Sequence, residues 1–166
     1  MKLNPLTLAG ILVGAGMGGF FDGIAFHQIF QLHNMLSNQV ALDTVANAER
    51  NMFWDGLFHA VMWVFTAAGI TLTWNAVKKG EDLHTDWYVG SIALGWGLFN
   101  LIEGIIDHHV LQIHHVVQDA VGSDQVFWDV LFLASGVFLI MVGVYMRRQS
   151  SLASARNYDR LTPVLV

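Results

Sequence analysis

The chain has 166 residues, of which 54% are hydrophobic and 13% are charged, whereas charged residues make up about 25% of a soluble domain. This composition excludes a soluble globular protein, and the absence of cysteine excludes disulfides, thiolate metal ligands and thiol catalysis. The formal net charge is -5, and the few Lys and Arg residues lack the aromatic interleaving of a nucleic-acid-binding surface, so no nucleic-acid partner is predicted.

Four apolar stretches occupy most of the chain, at residues 3–36, 45–77, 87–117 and 126–146. Each is longer than the ~20 residues that an α-helix needs to span a bilayer. The short connections between them favour antiparallel neighbours. We therefore predict an all-α integral membrane protein, a single domain over residues 1–166 that forms an antiparallel bundle of four transmembrane helices.

The positive charges are distributed unevenly between the predicted loops. Arg50 alone lies in the first loop. The other Lys and Arg residues lie at the N-terminus, in the second loop and in the C-terminal tail, and are Lys2, Lys78, Lys79, Arg147, Arg148, Arg156 and Arg160. Because cytoplasmic loops are enriched in Lys and Arg, both termini are predicted to be cytoplasmic, with residues 149–166 as a cytoplasmic tail.

The first stretch combines a packing pattern with an ionisable motif. Glycines at four-residue spacing from Gly10 to Gly18 form a ridge that lets membrane helices approach closely. The motif Asp-Gly-x-x-x-His-x-x-x-Gln-x-His then begins at Asp22 and contains His27 and His33. Ionisable side chains are costly inside a bilayer and therefore mark a functional site by default.

The second stretch carries Trp-Asp-Gly-Leu-Phe-His, beginning at Trp54. Its Asp55 and His59 are four residues apart and would share one face of a helix. This spacing suits two ligands of one metal ion.

The third stretch repeats the ionisable motif of the first. Glu-Gly-x-x-x-His-x-x-x-Gln-x-His begins at Glu103, and its His108 and His114 follow the matching histidines by 81 residues. Asp107 and His115 add further ionisable groups to this stretch. A repeated set of acidic and imidazole side chains indicates one shared function more strongly than any single residue does.

The fourth stretch resembles the second, because Trp-Asp-x-Leu-Phe begins at Trp128 and contains Asp129. The chain is therefore predicted to be duplicated, with repeats at about residues 3–77 and 86–148. Two helices per repeat leave both halves in the same orientation in the membrane, as in transporters with parallel repeats.

The ionisable residues are predicted to lie in one layer near the outer membrane boundary, about 20 residues from each cytoplasmic edge. Imidazole and carboxylate ligands together suit zinc, iron, copper or manganese, and di-iron bundles place such residues on facing helices. We predict a transition-metal site with one or two ions, with copper or iron favoured and zinc compatible. The predicted ligands are Asp22, His27, His33, Asp55, His59, Glu103, His108, His114 and His115, and the predicted proton relays are Asp107 and Asp129.

The sequence leaves open how these ligands are arranged. On an α-helix Asp22 and His27 point about 140° apart, and the repeat imposes the same angle on the third stretch, so one narrow site cannot use both without distortion. A continuous helix would also align His108, Gln112 and His115 along one face. One broad site and two separate sites are both compatible with the sequence.

Three other functions fit the same residues. His27 and His108 are related by the repeat and could be the two axial ligands of a haem. A proton or cation transporter could use the carboxylates and histidines as a relay. The protein could also be a structural subunit of a respiratory oxidase complex, and the glycine ridge is compatible with a homo-oligomer.

Four segments carry a resemblance to a known family. They are Gly-Phe-Phe-Asp-Gly-Ile-x-Phe-His-Gln-Ile-x-Gln-x-His at residues 19–33, Trp-Asp-Gly-Leu-Phe-His at 54–59, Glu-Gly-x-Ile-Asp-His-His at 103–109 and Trp-Asp-x-x-Phe-Leu-x-x-Gly at 128–136. With them the chain resembles the bacterial integral membrane proteins of the domain of unknown function 2243 family, over nearly all four helices.

The resemblance implies a four-helix protein of the bacterial inner membrane. It also implies copper or respiratory work on the outer face, because some members are encoded beside cytochrome oxidase assembly factors, which makes an oxidase or its assembly factors the expected partners. Family members often carry two adjacent histidines where this chain has His33 and Asn34. His114 is therefore a stronger ligand candidate than His115, whose counterpart is Asn34.

Overall fold

The computed structural model describes residues 4–161, with side chains up to residue 155. Lys2 lies outside the described residues, as do the side chains of Arg156 and Arg160. The described chain is helical and contains no strand. The described residues form four α-helices, Pro5–Phe21 (α1), Val45–Lys78 (α2), Thr85–Glu103 (α3) and Ser123–Leu161 (α4). Helix α1 continues as a π-helical segment, Asp22–Ile29, and α3 continues as a second one, Gly104–Val110.

Four helical spans are long and apolar enough to cross a membrane, which confirms the prediction of an all-helical membrane protein. They are Pro5–Ile29, Val45–Lys78, Thr85–Val110 and Ser123–Ala155. The last helix extends beyond the apolar stretch, so that the segment predicted as a tail from residue 149 is helical as far as Leu161.

The helix starts follow from local sequence. The side chain of Asn4 accepts a hydrogen bond from the amide of Leu6, and Pro5 occupies the first turn, where its missing N–H is not needed. Thr44 similarly accepts a hydrogen bond from the amide of Asn47 at the start of α2.

The helices pack in the order α2, α1, α3, α4, with the two repeat-related helices α1 and α3 in the centre. The outer helices turn large apolar side chains away from the protein, and Trp63 of α2 and Phe138 of α4 are 63% and 59% exposed. In a membrane these side chains contact lipid. The central helices α1 and α3 therefore form the support for the ionisable residues at their C-terminal ends.

Glycines bring α1 and α3 into backbone contact. A Cβ on Gly14 would overlap the carbonyl group of Ile92, and a Cβ on Gly95 would overlap that of Ile11, so the two contacts are related by the offset of 81 residues. Gly10 meets Ser91 on the same interface. The contacts advance together along both helices, so α1 and α3 run parallel with their C-terminal ends side by side.

Replacement of Gly95 by leucine is expected to destabilise the protein by about 1–3 kcal/mol or more, because overpacked interfaces must separate. Gly56 on α2 is the matched control, since a Cβ there meets no atom within 4 Å. Gly56→Leu is expected to be neutral or slightly stabilising. Unfolding of both variants in detergent, followed by circular dichroism, measures the difference, and equal stability would contradict close packing of α1 and α3.

Candidate metal centre

Two π-helical segments bring together the carboxylate and the first histidine of each repeat, which an α-helix would hold about 140° apart. In a π-helix the hydrogen bonds join residues five apart, so residues at this spacing lie on one face. Asp22 Oδ2 and His27 Nε2 are accordingly 3.1 Å apart, and Glu103 Oε1 and His108 Nε2 are also 3.1 Å apart. Each repeat therefore presents its carboxylate and its first histidine to the same place.

The chain reverses direction after each π-helical segment. Gln31 and Gln112 adopt positive φ angles of 50° and 49°, which a helix does not allow. The predicted stripe of His108, Gln112 and His115 along one helix face is therefore wrong, because the helix ends at Val110. The reversals instead fold the loops at residues 30–44 and 111–122 back over the helix ends.

Each loop holds the histidine of the other repeat. His33 Nδ1 donates a hydrogen bond to the carbonyl oxygen of Val116 at 2.9 Å, and His114 Nδ1 donates to the carbonyl oxygen of Met35 at 3.1 Å. Because a carbonyl oxygen only accepts, both rings are protonated on Nδ1. The Nε2 atom of His33 has no hydrogen-bond partner among the described residues, whereas that of His114 lies 2.9 Å from Glu103 Oε1.

Four imidazole rings form a row between the repeats. The ring centroids of His27 and His33 are 4.4 Å apart, those of His33 and His114 are 4.6 Å apart with the rings nearly parallel, and those of His108 and His114 are 5.0 Å apart. Every one of these four residues is at most 2% exposed. The two stacked rings in the middle of the row come from opposite repeats.

Asp55 supports the row at the end that belongs to the first repeat. Its Oδ1 accepts a hydrogen bond from His27 Nδ1 at 2.9 Å and another from the amide of Met35 at 2.8 Å. Its Oδ2 accepts from the side-chain amide of Asn34 at 2.8 Å. The carboxylate thus orients His27 so that Nε2 faces the interior of the cluster.

Asp129 has the same place in the second repeat. Its Oδ1 lies 3.5 Å from His108 Nδ1 and accepts a hydrogen bond from the amide of Val116, while its Oδ2 accepts from His115 Nδ1 at 2.8 Å. His115 therefore takes the position that Asn34 has in the first repeat. It contacts the supporting carboxylate and lies outside the row of four rings.

The ligand atoms form two overlapping groups. His27, His33 and His114 place one nitrogen each within 4.8 Å of one another, and Glu103, His108 and His114 do the same with an oxygen and two nitrogens. Glu103 Oε1 is 2.9 Å from His114 Nε2, and its Oε2 is buried without a hydrogen-bond partner. Both groups could hold a metal ion, and His114 is common to them.

Burial and the neighbouring imidazoles lower the pKa of His33 well below its ordinary value. The ring is therefore neutral at physiological pH. Its Nε2 is buried and has no hydrogen-bond partner in the described part of the protein. A neutral imidazole with an unshared electron pair on a buried nitrogen is the form that binds a metal.

His59 and Asp107, like His115, lie apart from the row. His59 donates from Nδ1 to the carbonyl oxygen of Asp55, one turn back on its own helix, and its Nε2 packs against Gly23. It belongs to neither ligand group. Asp107 is half-buried at the edge of the cluster, in the position that Phe26 occupies in the first repeat.

Comparison with known proteins gives one match. The family described as predicted membrane protein (DUF2243) matches residues 9–150. The matched range includes all of α2 and α3, most of the first and last helical spans, both π-helical segments and the two loops. No curated protein and no solved structure matches the chain.

Proposed function

The chain belongs to the DUF2243 family of predicted membrane proteins, and from this premise we propose that it holds a transition metal between its two repeats. One observation carries the proposal. Three of the four clustered imidazoles have Nδ1 hydrogen-bonded from outside to a carboxylate or a carbonyl oxygen, and the Nδ1 of the fourth, His108, lies 3.5 Å from Asp129 Oδ1, so that each ring turns its Nε2 towards the interior. Histidine ligands of metals are oriented in this way.

Buried charge supports the same conclusion. Asp22 and Glu103 are 3% and 6% exposed, and no Lys or Arg forms an ion pair with either among the described residues. Carboxylates buried inside a protein need a compensating positive charge or a metal. A divalent cation bound by the imidazoles would supply that charge to both of them.

The donor set defines the class of metal. Imidazole nitrogen and carboxylate oxygen without thiolate suit iron or copper, and zinc is compatible. The pseudo-symmetry of the ligands and the two overlapping groups favour a centre with two ions. The ligands are Asp22, His27, His33, Glu103, His108 and His114, with Asp55 and Asp129 orienting the rings.

The proposed cellular role rests on the predicted orientation of the helices and on the resemblance to bacterial membrane proteins. With both termini in the cytoplasm of a bacterium, the cluster lies near the outer face of the inner membrane. There the protein either exchanges electrons as a metal-dependent oxidoreductase or handles copper or iron for a respiratory oxidase or its assembly factors. Asp107 and Asp129 are the residues through which protons would reach the cluster.

A haem bound between His27 and His108 is less well supported. The rings of His33 and His114 lie between those two histidines in the row, within 4.4 Å and 5.0 Å of them respectively, in the space that a macrocycle would need.

Proton transfer without a metal is the second candidate function. Continuous contacts run from Asp55 through His27 to Asp22, which is the arrangement of a relay. Proton flux in liposomes that disappears in Asp55→Asn would support it.

Metal analysis of the purified protein, with an optical spectrum of the same sample, tests the proposed function. We expect one or two iron, copper or zinc ions per chain and no Soret band. His84→Ala is the control, because this histidine lies in an exposed loop with Asp82 and its removal should leave the metal content unchanged. A folded protein that takes up none of these metals would refute metal binding in favour of the relay.

Asp55→Asn is expected to lower metal affinity by about 10–100-fold, because a carboxylate that orients a histidine ligand contributes to that extent. The amide keeps the shape of the side chain and can still accept from the amide of Met35. Asp43→Asn is the matched control, since Asp43 is exposed and its one side-chain hydrogen bond within the described part of the chain is with the side chain of Asn47. Competition with a chelator of known affinity measures both variants, and equal affinities would remove Asp55 from the centre.

A further inference from the structure

A cleft at the opposite end of the central helices carries positive charge. It has a volume of about 240 Å³ and lies between the start of α3 and the second half of α4. It is lined by Trp87, Val144, Arg147, Arg148 and Ser151. The cleft is remote from the histidine cluster, which lies at the C-terminal ends of α1 and α3.

Arg147 is held in this cleft without an anionic partner. The central carbon of its guanidinium group lies 4.3 Å from the centroid of the Trp87 ring, and its Nε is buried with no hydrogen-bond partner. No carboxylate forms an ion pair with Arg147 within the part of the chain that the structure describes. Stacking on an aromatic face leaves the N–H groups at the edge of the guanidinium plane free.

Trp87 is itself fixed in place, because its Nε1 donates a hydrogen bond to the hydroxyl of Thr7 at 3.0 Å. The arginine is therefore presented by a rigid surface. Arg148 adds a second positive charge, whereas the hydroxyl of Ser151 already donates to the carbonyl oxygen of Arg147. The free donors of the cleft are thus guanidinium groups, which bind the oxygens of a phosphate in pairs.

The remaining wall of the cleft is apolar and faces the bilayer. Val144 is 53% exposed, and Met141, one turn earlier on the same helix, is 58% exposed. A ligand that fills the cleft therefore meets guanidinium groups at one end and lipid-facing side chains at the other. Basic pockets between transmembrane helices at the membrane surface bind anionic lipid headgroups.

We propose that this cleft binds the headgroup of an anionic phospholipid that carries a single phosphate. The neighbouring clefts explain the limit of one phosphate. Asp82 and His84 line one of them, and His84 and Asp86 line the other. Their carboxylates would repel a second phosphate. The proposal concerns a surface remote from the metal cluster and does not depend on the proposed function.

Lipid retention measured by native mass spectrometry tests the proposal. Wild-type protein in neutral detergent is mixed with phosphatidylglycerol or with phosphatidylcholine, and we expect it to retain the anionic lipid preferentially. Arg147→Gln is expected to weaken that retention by about fivefold, the typical effect of one basic side chain near a membrane surface. Arg50→Gln is the control, because Arg50 is exposed at the start of α2, at the other membrane face. It should retain lipid like the wild type.

A competition with inorganic phosphate and a second variant of Arg147 complete the test. Inorganic phosphate at the same concentration should not displace the lipid, because it lacks the chains that lie against Val144. Displacement by phosphate, equal retention of the two lipids, or an unchanged preference in a folded Arg147→Gln variant would each overturn the proposal. If Arg147→Gln does not fold, lipid retention is measured with Arg147→Lys instead, since lysine keeps the positive charge but lacks the planar guanidinium group. A reduced preference supports the proposal and an unchanged one overturns it.

Discussion

Replacement of His114 by alanine is expected to prevent metal binding at the proposed centre. His114 is the one residue that belongs to both ligand groups, and its Nε2 lies 2.9 Å from Glu103 Oε1. Its loss leaves each group with two ligands and removes the ring that stacks on His33. Metal affinity should fall by more than the roughly 10–100-fold that removal of an orienting residue causes.

His59→Ala is the matched control for this variant. Both histidines lie near the same membrane face, and both donate from Nδ1 to a carbonyl oxygen, but His59 stands outside the two groups. We expect His59→Ala to retain the metal of the wild type. Metal analysis of both folded variants decides the matter, because retention by His114→Ala or loss by His59→Ala would place the centre elsewhere.

The helices could be predicted from the sequence, but the angle between the ligands could not. Apolar runs of sufficient length predict membrane helices because the bilayer has a fixed thickness. The stretch beginning at Asp22 has no proline or other marker of a π-helix, and the assumption of an α-helix separated Asp22 from His27. The repeat was the available signal, since a polar pair at the same unfavourable spacing in two places indicates a shared distortion of the helix.

The conformation of the two loops explains why the positions of only some candidate ligands could be predicted from the sequence. His33 and His114 follow the ends of the π-helical segments in sequence, and they turn back towards the cluster because the chain reverses at Gln31 and Gln112. The carbonyl groups of Val116 and Met35 that fix these rings carry no side-chain signal in the sequence. Asp55 and Asp129, in contrast, lie where their repeated Trp-Asp motifs place them, at the same level as the other carboxylates.

The exchange of contacts between the loops makes the two repeats depend on each other. The first repeat supplies the carbonyl group that orients His114, and the second supplies the one that orients His33. The second repeat contains one complete group of three ligands, Glu103, His108 and His114, whereas the first repeat contains none. The group formed by His27 and His33 needs His114 from the other half. Binding of the proposed metal would therefore join the repeats and would link occupancy of the centre to the stability of the fold.

Removal of the metal is accordingly expected to destabilise the protein strongly. A ligand present at a thousandfold excess over its dissociation constant stabilises the folded state by about 4 kcal/mol, because it does not bind the unfolded chain equally well. Chelation should also leave the buried carboxylates of Asp22 and Glu103 without the cation that compensates them. Thermal unfolding of the wild type with and without chelator should therefore show a large decrease in Tm.

The double variant Asp22→Asn/Glu103→Gln separates this effect from general damage by the chelator. Neutral amides need no compensating cation and are poor ligands, so the chelator should change the Tm of this variant little. Its metal-free form should be at least as stable as the metal-free wild type, because two buried charges have been removed. A wild-type Tm that is unchanged by chelation would show that the six clustered side chains are stable as a network of hydrogen bonds alone, and would favour their use as a proton relay.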